Sequence, residues 1–199
     1  LNELITKVNF KIPELWDMKF LDTLPSLRRN NVEKTVAIDT TKFKDALIKL
    51  TEMPAQKRGY EFERFLNELF KAFNLEPRGA FRLVGEQIDG SFELYNETYL
   101  LEAKWQNEQT GQSDLLVFRG KAEGKATWTR GLFLSYSGFT EDGLEAFSRG
   151  RPTDLIGMTG QDLFFILNGR LSLPEALRMK VRLAAETGRF YVPVQEIQP

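Results

Sequence analysis

Residues 88–105, "IDGSFELYNETYLLEAKW", combine the pattern of two β-strands with charges in an unexpected place. The residues on either side of Asn96-Glu97 predict an antiparallel hairpin joined by a two-residue turn. The second strand ends in "YLLEAKW", residues 99–105, where Glu102 and Lys104 interrupt a hydrophobic run. Because an unpaired charge is costly to bury, these two residues are expected to form either a solvated ion pair or the charged centre of a site.

The position of the turn determines which side chains share one face of the hairpin. With the predicted turn, Asp89 lies opposite Lys104 and Ser91 lies opposite Glu102. Diagonal neighbours on one face are ~7–8 Å apart, so Asp89, Glu102 and Lys104 are predicted to form one cluster. A slip of one residue would move Asp89 to the other face, because side chains alternate along a strand.

A cluster of two carboxylates and one lysine is typical of a site that holds a metal ion. Two carboxylates at this separation repel each other unless a cation lies between them, and Mg²⁺ prefers oxygen ligands of this kind. Hydrolysis of a phosphodiester needs a metal that polarises the phosphate and activates water, and a cation that offsets the developing charge. Spacing alone favours the alternative, a solvated pair, whereas the apolar context of Glu102 and Lys104 favours the site.

The amino-acid composition excludes several kinds of catalysis. The 199 residues include no cysteine and no histidine, which excludes disulfides, thiolate and imidazole chemistry, Ser-His-Asp triads and histidine metal sites. Any catalysis would use carboxylates, lysines, hydroxyls or a hard metal ion. The net charge of −1 argues against a uniformly basic surface for nucleic acid but allows a local basic groove. Without an apolar stretch of ~20 residues or the apolar centre of a signal peptide, a cytoplasmic location is expected.

The rest of the sequence predicts an α/β fold with a mixed sheet between helices. Residues 1–55 contain short helical segments and are expected to form an N-terminal helical extension, followed by a domain at 56–199. The stretch "GYEFERFLNELFKAFNL", which begins at Gly59, carries a broad apolar stripe that predicts an amphipathic helix. After the hairpin, the pattern predicts helices in "SDLLVFRGKAEG", "TEDGLEAFSRG", "QDLFFIL" and "SLPEALRMKVRLAAETG", and strands in "RGLFLSYSG" and "TDLIGMTG".

The order of these motifs resembles that of the PD-(D/E)XK nucleases. "IDG" is followed, thirteen positions after its aspartate, by "EAK", so Asp89, Glu102 and Lys104 match the aspartate, the acidic residue and the lysine of that family. "GYEFERFLNELF" resembles the opening helix of Mrr-type restriction endonuclease domains and of archaeal Holliday-junction resolvases. "LFLSYSGFTEDGLEAF" and "DLIGMTGQDLFFIL" resemble later segments of Mrr-type domains. The resemblance covers about residues 57–168 and implies a restriction-endonuclease-like, three-layer α/β/α fold.

The resemblance also implies an activity, which is metal-dependent endonucleolytic cleavage of DNA by direct attack of water, in restriction of foreign DNA. Asp89, Glu102 and the carbonyl of Ala103 would hold Mg²⁺, for which Mn²⁺ could substitute, and Lys104 would position the nucleophilic water. Mrr-type domains often carry glutamine in place of Glu102, and the acidic form in this chain favours metal binding.

The opening helix supplies a further candidate for the metal site. In the family, a glutamate four residues after a glycine joins the site, and Glu63 stands in that position after Gly59. Glu63 would bind the metal directly, through water, or with a second ion. Glu61 is the competing candidate, and an exposed helical glutamate is the alternative role for Glu63. The apolar stripe places Glu63 near the helix edge that faces the sheet.

Basic residues in "RGAFR", "FRGKAEGKATWTRG" and "SRGRP" are candidates for contacts with phosphates, although most such clusters are solvated surface. These basic candidates are Arg78, Arg82, Arg119, Lys121, Lys125, Arg130, Arg149 and Arg151. Gln106 could line the site after Lys104, whereas core packing is the expected role of Trp105. In "SGFT", Ser137 and Thr140 could donate to a phosphate or cap the next helix.

Two alternatives to a nuclease remain open at the level of sequence. A catalytically silent nucleic-acid-binding module would bind DNA without metal and lose binding when the arginine clusters are neutralised. A structural α/β protein with a solvated Glu102–Lys104 pair would be indifferent to Asp89→Ala in metal and DNA binding. The nuclease reading implies DNA as the partner and allows a homodimer, and it predicts neither a membrane contact nor a small-molecule cofactor.

Overall fold

The computed structural model describes residues 38–148 and 154–197, in which helices alternate with strands. In chain order the elements are α1 (Thr41–Thr51), α2 (Ala55–Ala72), β1 (Phe81–Leu83), β2 (Glu86–Ile88), β3 (Gly90–Leu94), β4 (Glu97–Lys104), α3 (Gln112–Glu123), β5 (Arg130–Ser135), α4 (Glu141–Ser148), β6 (Leu155–Thr159), α5 (Gly160–Leu167), α6 (Leu173–Thr187) and a 3-10 turn (Val194–Glu196). The predicted helix, hairpin and alternating helices and strands are all present. Of the predicted N-terminal extension, residues 1–37 lie outside the described residues.

Four strands form one mixed sheet in the order β3-β4-β5-β6. β3 and β4 are antiparallel, whereas β4, β5 and β6 are parallel. Parallel neighbours need crossover connections, and α3 and α4 supply them. β1 and β2 pair with each other in a separate two-stranded ribbon that leads into β3.

Helices cover both faces of the sheet and form two hydrophobic clusters. Residues of α1, α2, α5 and α6 pack against one face, which includes Leu101 and Leu132 of the central strands. Residues of α3 and α4 pack against the other face, which includes Leu100 and Phe133. Successive residues of a strand point to opposite faces, so each strand contributes to both clusters. The predicted restriction-endonuclease-like α/β fold is therefore confirmed.

Helix α1 falls within the predicted N-terminal extension but shares a hydrophobic cluster with the sheet. Phe43, Leu47 and Leu50 are buried at the helical spacing that the sequence predicted. The ring of Phe43 meets that of Phe65 of α2 edge to face, with the ring centroids 6.2 Å apart. The proposed domain division near residue 55 stays a prediction.

The hairpin turn differs from the prediction by one residue. Leu94 pairs with Glu97, so Tyr95 and Asn96 form the turn rather than Asn96 and Glu97. Tyr95 and Asn96 have φ values of 52° and 65°. A two-residue turn of type I′ requires positive φ at both of its central residues, which explains why the chain reverses at this point.

The displaced turn changes the pairing but not the faces of the hairpin. Ser91 pairs with Leu100 rather than with Glu102, which is a shift of two residues along β4. Asp89 precedes the first pair of this ladder, Gly90 with Leu101, and its carboxylate accepts the N–H of Ala103. Because side chains alternate with a period of two, the shift keeps Ser91 on the face of Glu102 and Lys104, and the place of Asp89 on that face stays a prediction.

Candidate metal and active site

The candidate site lies where β3 begins and β4 ends. Oδ2 of Asp89 accepts a hydrogen bond from the backbone N–H of Ala103 at 3.0 Å. Gly90 follows Asp89, and a Cβ at Gly90 would lie 2.8 Å from the carbonyl oxygen of Arg78, whose backbone bridges to Ser91. The close approach of that backbone requires glycine, and Asp89 then turns its carboxylate toward β4.

Glu102 and Lys104 project from β4 toward α3, and both find charged partners there. Nζ of Lys104 lies 2.5 Å from Oδ1 of Asp114, and Nζ of Lys121 lies 2.6 Å from Oε2 of Glu102. The side chains of Glu102 and Lys121 are only 12% and 16% exposed. The charges that interrupt the hydrophobic run are therefore paired with a helix rather than with each other.

The pairing of these residues with α3 was not predicted from the sequence. Asp114 is not predicted at all, and Lys121 is predicted only as a contact to DNA. The available signal was the spacing of seven residues between Asp114 and Lys121, which puts the two side chains on one face of the helix, two turns apart. Their charges are opposite to those of Lys104 and Glu102, which lie two residues apart on the preceding strand.

Glu63 of α2 brings a third carboxylate toward this end of the sheet. Burial, together with the charges of Asp89 and Glu102, raises the pKa of Glu63 to about 7. Glu63 is therefore electrostatically coupled to Asp89 and Glu102. The competing candidate, Glu61, forms an ion pair at 3.1 Å with Arg64 on the same helix.

An aromatic contact connects the helix of Glu63 to the end of β4. Phe62, which precedes Glu63, meets the ring of Trp105 edge to face, with the ring centroids 4.9 Å apart. Trp105 in turn stacks on Tyr136 at a centroid distance of 3.5 Å. Trp105, the residue that follows Lys104, therefore packs against the core and connects the end of β4 to α2.

The pKa of the Glu102 carboxyl is also raised. Burial is the largest cause, and the hydrogen bond from Lys121 opposes it. Repulsion from Asp89 raises the pKa further, while the charges of Lys121 and Lys104 lower it. Burial and mutual repulsion of carboxylates at one point are electrostatic conditions that a bound cation relieves.

Comparison with known proteins identifies the family. A family model described as "Restriction endonuclease", the Mrr catalytic domain, matches residues 55–166, which is more than half of the chain. The chain belongs to the Mrr restriction endonuclease family. No curated protein and no solved structure gives a significant match. The match spans α2, the hairpin and the later strands, and it indicates a nuclease of the restriction endonuclease type.

The donor atoms of this Mrr domain fit a hard divalent ion. Carboxylates and a backbone carbonyl are the oxygen ligands that Mg²⁺ prefers, and the repulsion that raises the pKa of Glu63 is what such an ion would relieve. Within residues 38–148 and 154–197, no three acidic side chains stand in an arrangement ready to hold a metal ion. In this arrangement Nζ of Lys121 donates a hydrogen bond to Glu102, and the N–H of Ala103 donates one to Asp89.

Four of the predicted DNA contacts lie in chain segments that adjoin those of Asp89 and Lys104. Arg78 and Arg82 are exposed in the segment that leads through the β1–β2 ribbon to Asp89. Lys104 pairs with Ser135 of the neighbouring strand, so Gln106 and Ser137 both follow the carboxyl ends of these two strands. The hydroxyl of Ser137 donates to the backbone carbonyl of Gln106.

Other predicted DNA contacts have structural partners. Arg119 is 5% exposed, and its guanidinium carbon lies 3.9 Å from the ring centroid of Phe147. Arg130 begins β5, at the opposite end from Ser135, and its Nη2 lies 2.8 Å from Oε1 of Glu97. This packing favours structural roles for Arg119 and Arg130.

Thr140 acts as a helix cap in this structure. Its Oγ1 accepts a hydrogen bond from the backbone N–H of Gly143 at 3.1 Å, in the first turn of α4. This geometry matches the capping role that the sequence left open. Arg149 and Arg151 lie outside the described residues.

In the described segments, every helix is too short or too polar to cross a membrane.

Proposed function

We propose that this chain is a metal-dependent endodeoxyribonuclease that hydrolyses phosphodiester bonds of DNA in restriction of foreign DNA. The single observation that carries the proposal is the hydrogen bond from the N–H of Ala103 to Oδ2 of Asp89, which sets this carboxylate beside the strand segment that carries Glu102 and Lys104. The pKa of Glu63 is raised to about 7 by burial and by Asp89 and Glu102, and Lys104 ends the same strand as Glu102. Membership of a nuclease family supports the same chemistry.

Asp89, Glu102 and the carbonyl of Ala103 are the proposed ligands of a Mg²⁺ ion, with Glu63 binding directly or through water. A bound divalent ion supplies polarisation of the phosphate and a lowered pKa of the attacking water. Glu63 lies on α2 and Asp89 directly precedes β3, so a shared ion would connect two separate elements. Mn²⁺ has similar ligand preferences and is expected to substitute.

Lys104 is proposed to orient the attacking water and to stabilise charge that develops on the phosphate. An ammonium group has three donors that can reach a water molecule and a phosphate oxygen at once. Asp114, at 2.5 Å, holds this ammonium in position from the side of α3. Fixed charge aimed at the reacting group is more effective than mobile charge, because the transition state then needs no rearrangement.

The proposed contacts to the DNA backbone are Arg78, Arg82, Gln106 and Ser137. The two arginines are exposed and precede Asp89, so they can track phosphates next to the cleavage point. Arg119, Arg130 and Thr140 are left out of this set. Cleavage of both strands of a duplex would require two such sites, and a homodimer would supply them.

A DNA-binding module without turnover is the second candidate function. It is favoured by the hydrogen bonds that already engage Glu102, Lys104 and Asp89. Such a module would bind DNA in the presence of a chelator and would lose binding when Arg78 and Arg82 are neutralised. Its binding would be insensitive to Lys104→Ala.

Cleavage of supercoiled plasmid tests the two candidates directly. Modified and unmodified plasmid would be incubated with the protein in Mg²⁺, in Mn²⁺ or in a chelator, beside Lys104→Ala. Lys125→Ala is a matched control, because Lys125 pairs with Glu86 on β2 and not with a proposed metal ligand. Lys125 is also not among the proposed DNA contacts. The nuclease predicts metal-dependent nicking that Lys104→Ala abolishes and Lys125→Ala retains. Metal-independent binding without nicking by any protein would support the silent module instead.

A further inference from the structure

Glu102, to which the proposed function assigns a metal contact, already has a cation beside it. Nζ of Lys121 lies 2.6 Å from Oε2 of Glu102. Both side chains are largely buried, so water screens the pair weakly. An ammonium and a divalent ion cannot occupy the same position on one carboxylate oxygen.

The packing of α3 makes this contact a built feature rather than a chance encounter of surface side chains. Leu115, Phe118 and Ala122 of α3 are buried in the cluster that covers this face of the sheet. Lys121 directly precedes Ala122, so its backbone position is fixed by the packed face of the helix. The contact between Asp114 and Lys104 ties the first turn of the same helix to the same strand.

A second lysine in this region provides a comparison. Lys125 follows α3 and pairs with Glu86 on the β1–β2 ribbon, with side chains 22% and 24% exposed. Glu86 is not among the groups that raise the pKa of Glu63 or Glu102. The two lysines therefore form similar ion pairs, but of the two only Lys121 contacts a proposed metal ligand, Glu102.

We propose that Lys121 is a built-in competitor of the metal ion for Glu102. Its ammonium leaves Oε2 before Glu102 binds the ion, and this competition lowers the metal affinity of the free protein. In the metal-free protein the same ammonium balances the charge of a buried carboxylate, which would otherwise destabilise the fold. The inference rests on the proposed function, because it requires a metal site formed by Asp89 and Glu102.

Binding of Mn²⁺ in the absence of DNA tests the proposal. Free Mn²⁺ would be followed by electron paramagnetic resonance for the wild type, Lys121→Gln and Lys121→Arg, with Lys125→Gln as the matched control and Asp89→Asn as the site variant. Removal of a cation ~4 Å or less from the ion is expected to tighten Mn²⁺ binding at least about tenfold in Lys121→Gln. Lys121→Arg retains the cation and is expected to keep the affinity of the wild type, and Lys125→Gln is expected to change it less than about twofold.

The same proteins yield a second measurement that does not depend on absolute affinity. In a chelator, Lys121→Gln is expected to melt below the wild type, because Glu102 loses its partner. Addition of Mn²⁺ is then expected to raise its melting temperature more than that of the wild type, since ligand binding stabilises the folded state.

Two outcomes would overturn the inference, and they are distinguishable. Unchanged or weaker Mn²⁺ binding by Lys121→Gln, with binding still lost in Asp89→Asn, would mean that Lys121 does not compete, for example because the ion uses Oε1. Failure of every protein to bind Mn²⁺ would overturn the metal site itself, and the inference with it.

Discussion

At the scale of single residues, the charged form of Glu63 is disfavoured by its surroundings. Its pKa is about 7 in the folded protein, compared with an ordinary value of 4.5. Between these values the folded protein holds a proton that the unfolded chain has released, so the free energy of unfolding falls as pH rises through this window. The loss is complete above pH 7, where Glu63 is charged in both states.

Replacement of Glu63 by glutamine removes this pH dependence. In a chelator at pH 8, Glu63→Gln is expected to be more stable than the wild type by ~1 kcal/mol, a value discounted for the exposure of the side chain. Well below pH 4.5, the difference is expected to vanish, because Glu63 of the wild type is then protonated in both the folded and the unfolded state. Urea denaturation at both pH values measures the effect, with Glu61→Gln as the control. An equal difference at both pH values would contradict the electrostatic account.

Asp114 is the partner of Lys104 that the sequence did not reveal. Asp114→Asn keeps the shape of the side chain but removes the negative charge that attracts the ammonium of Lys104, whose Nζ lies 2.5 Å from Oδ1. The catalytic rate constant for DNA cleavage is expected to fall about tenfold, or ~1.4 kcal/mol of transition-state stabilisation, with little change in KM. Asp142→Asn, at an exposed position on α4, serves as the control. A rate constant equal to that of the wild type would exclude a positioning role for Asp114.

At the scale of elements, the hairpin illustrates what local sequence can and cannot determine. The two strands follow from their residue pattern, but the turn lies at Tyr95-Asn96, where both residues have positive φ. Tyrosine rarely adopts this conformation, so the pattern favoured Asn96-Glu97 instead. The error moved the pairing by two residues, and Ser91 stays on the face of Glu102 because faces repeat every second residue.

The position of the turn can be tested by mutation. Tyr95 is 65% exposed, so its replacement costs little packing. Tyr95→Asn is expected to raise the free energy of unfolding by ~0.5–1 kcal/mol, because asparagine tolerates positive φ and is preferred at this position of a type I′ turn. Denaturant unfolding with an unchanged m-value would measure the gain. A loss of stability would indicate that Tyr95 does not lie in the turn.

The pairing of β4 with α3 could not be predicted from sequence, because it depends on how a helix docks on a sheet. The helix and the strand were each predicted, and so was the face that carries Glu102 and Lys104. The spacing of Asp114 and Lys121 indicates one helical face, but which charge of β4 each of them meets depends on the position of the helix along the strand. The same reason explains Arg119, whose burial against Phe147 follows from the packing of α3 on α4.

At the scale of the whole molecule, fold and family were predictable because both depend on the order of motifs. "IDG", "EAK" and "LFLSYSGFT" stand in one order along the chain, and hydrophobic periodicity assigned each intervening element. The grouping of Glu63 with Asp89 and Glu102 was expected from the resemblance, with support from the apolar stripe of α2, and it stays a prediction. Contacts over long sequence separations, such as Phe62 with Trp105, supply the physical reason for it.

A buried ion pair connects the C-terminal segment to the rest of the fold. Lys180 of α6 and Asp162 of α5 have side chains only 2% exposed, with Nζ and Oδ2 3.0 Å apart. Nζ of Lys180 also donates to the carbonyl of Val192, and Oδ1 of Asp162 accepts the N–H of Val194. These bonds hold the segment after α6 against both helices.

Removal of one member of this pair is expected to destabilise the whole domain. Lys180→Met leaves Asp162 as a buried charge without its partner and should lower the free energy of unfolding by ~3 kcal/mol or more. Arg182→Met, which removes an exposed pair with Glu186 at 2.7 Å, is the control and should cost less than ~0.5 kcal/mol. Chemical denaturation compares the two variants. Similar losses in both would show that the buried network is not a principal support of the fold.

The most direct test of the central claim is anomalous diffraction from crystals grown with Mn²⁺. The account predicts one manganese peak at the junction of β3 and β4, with oxygens of Asp89 and Glu102 and the carbonyl of Ala103 within about 2.5 Å. Nζ of Lys121 should then have left Oε2 of Glu102. A structure at saturating Mn²⁺ with no peak at this junction, and with Lys121 still bound to Glu102, would contradict the proposed active site.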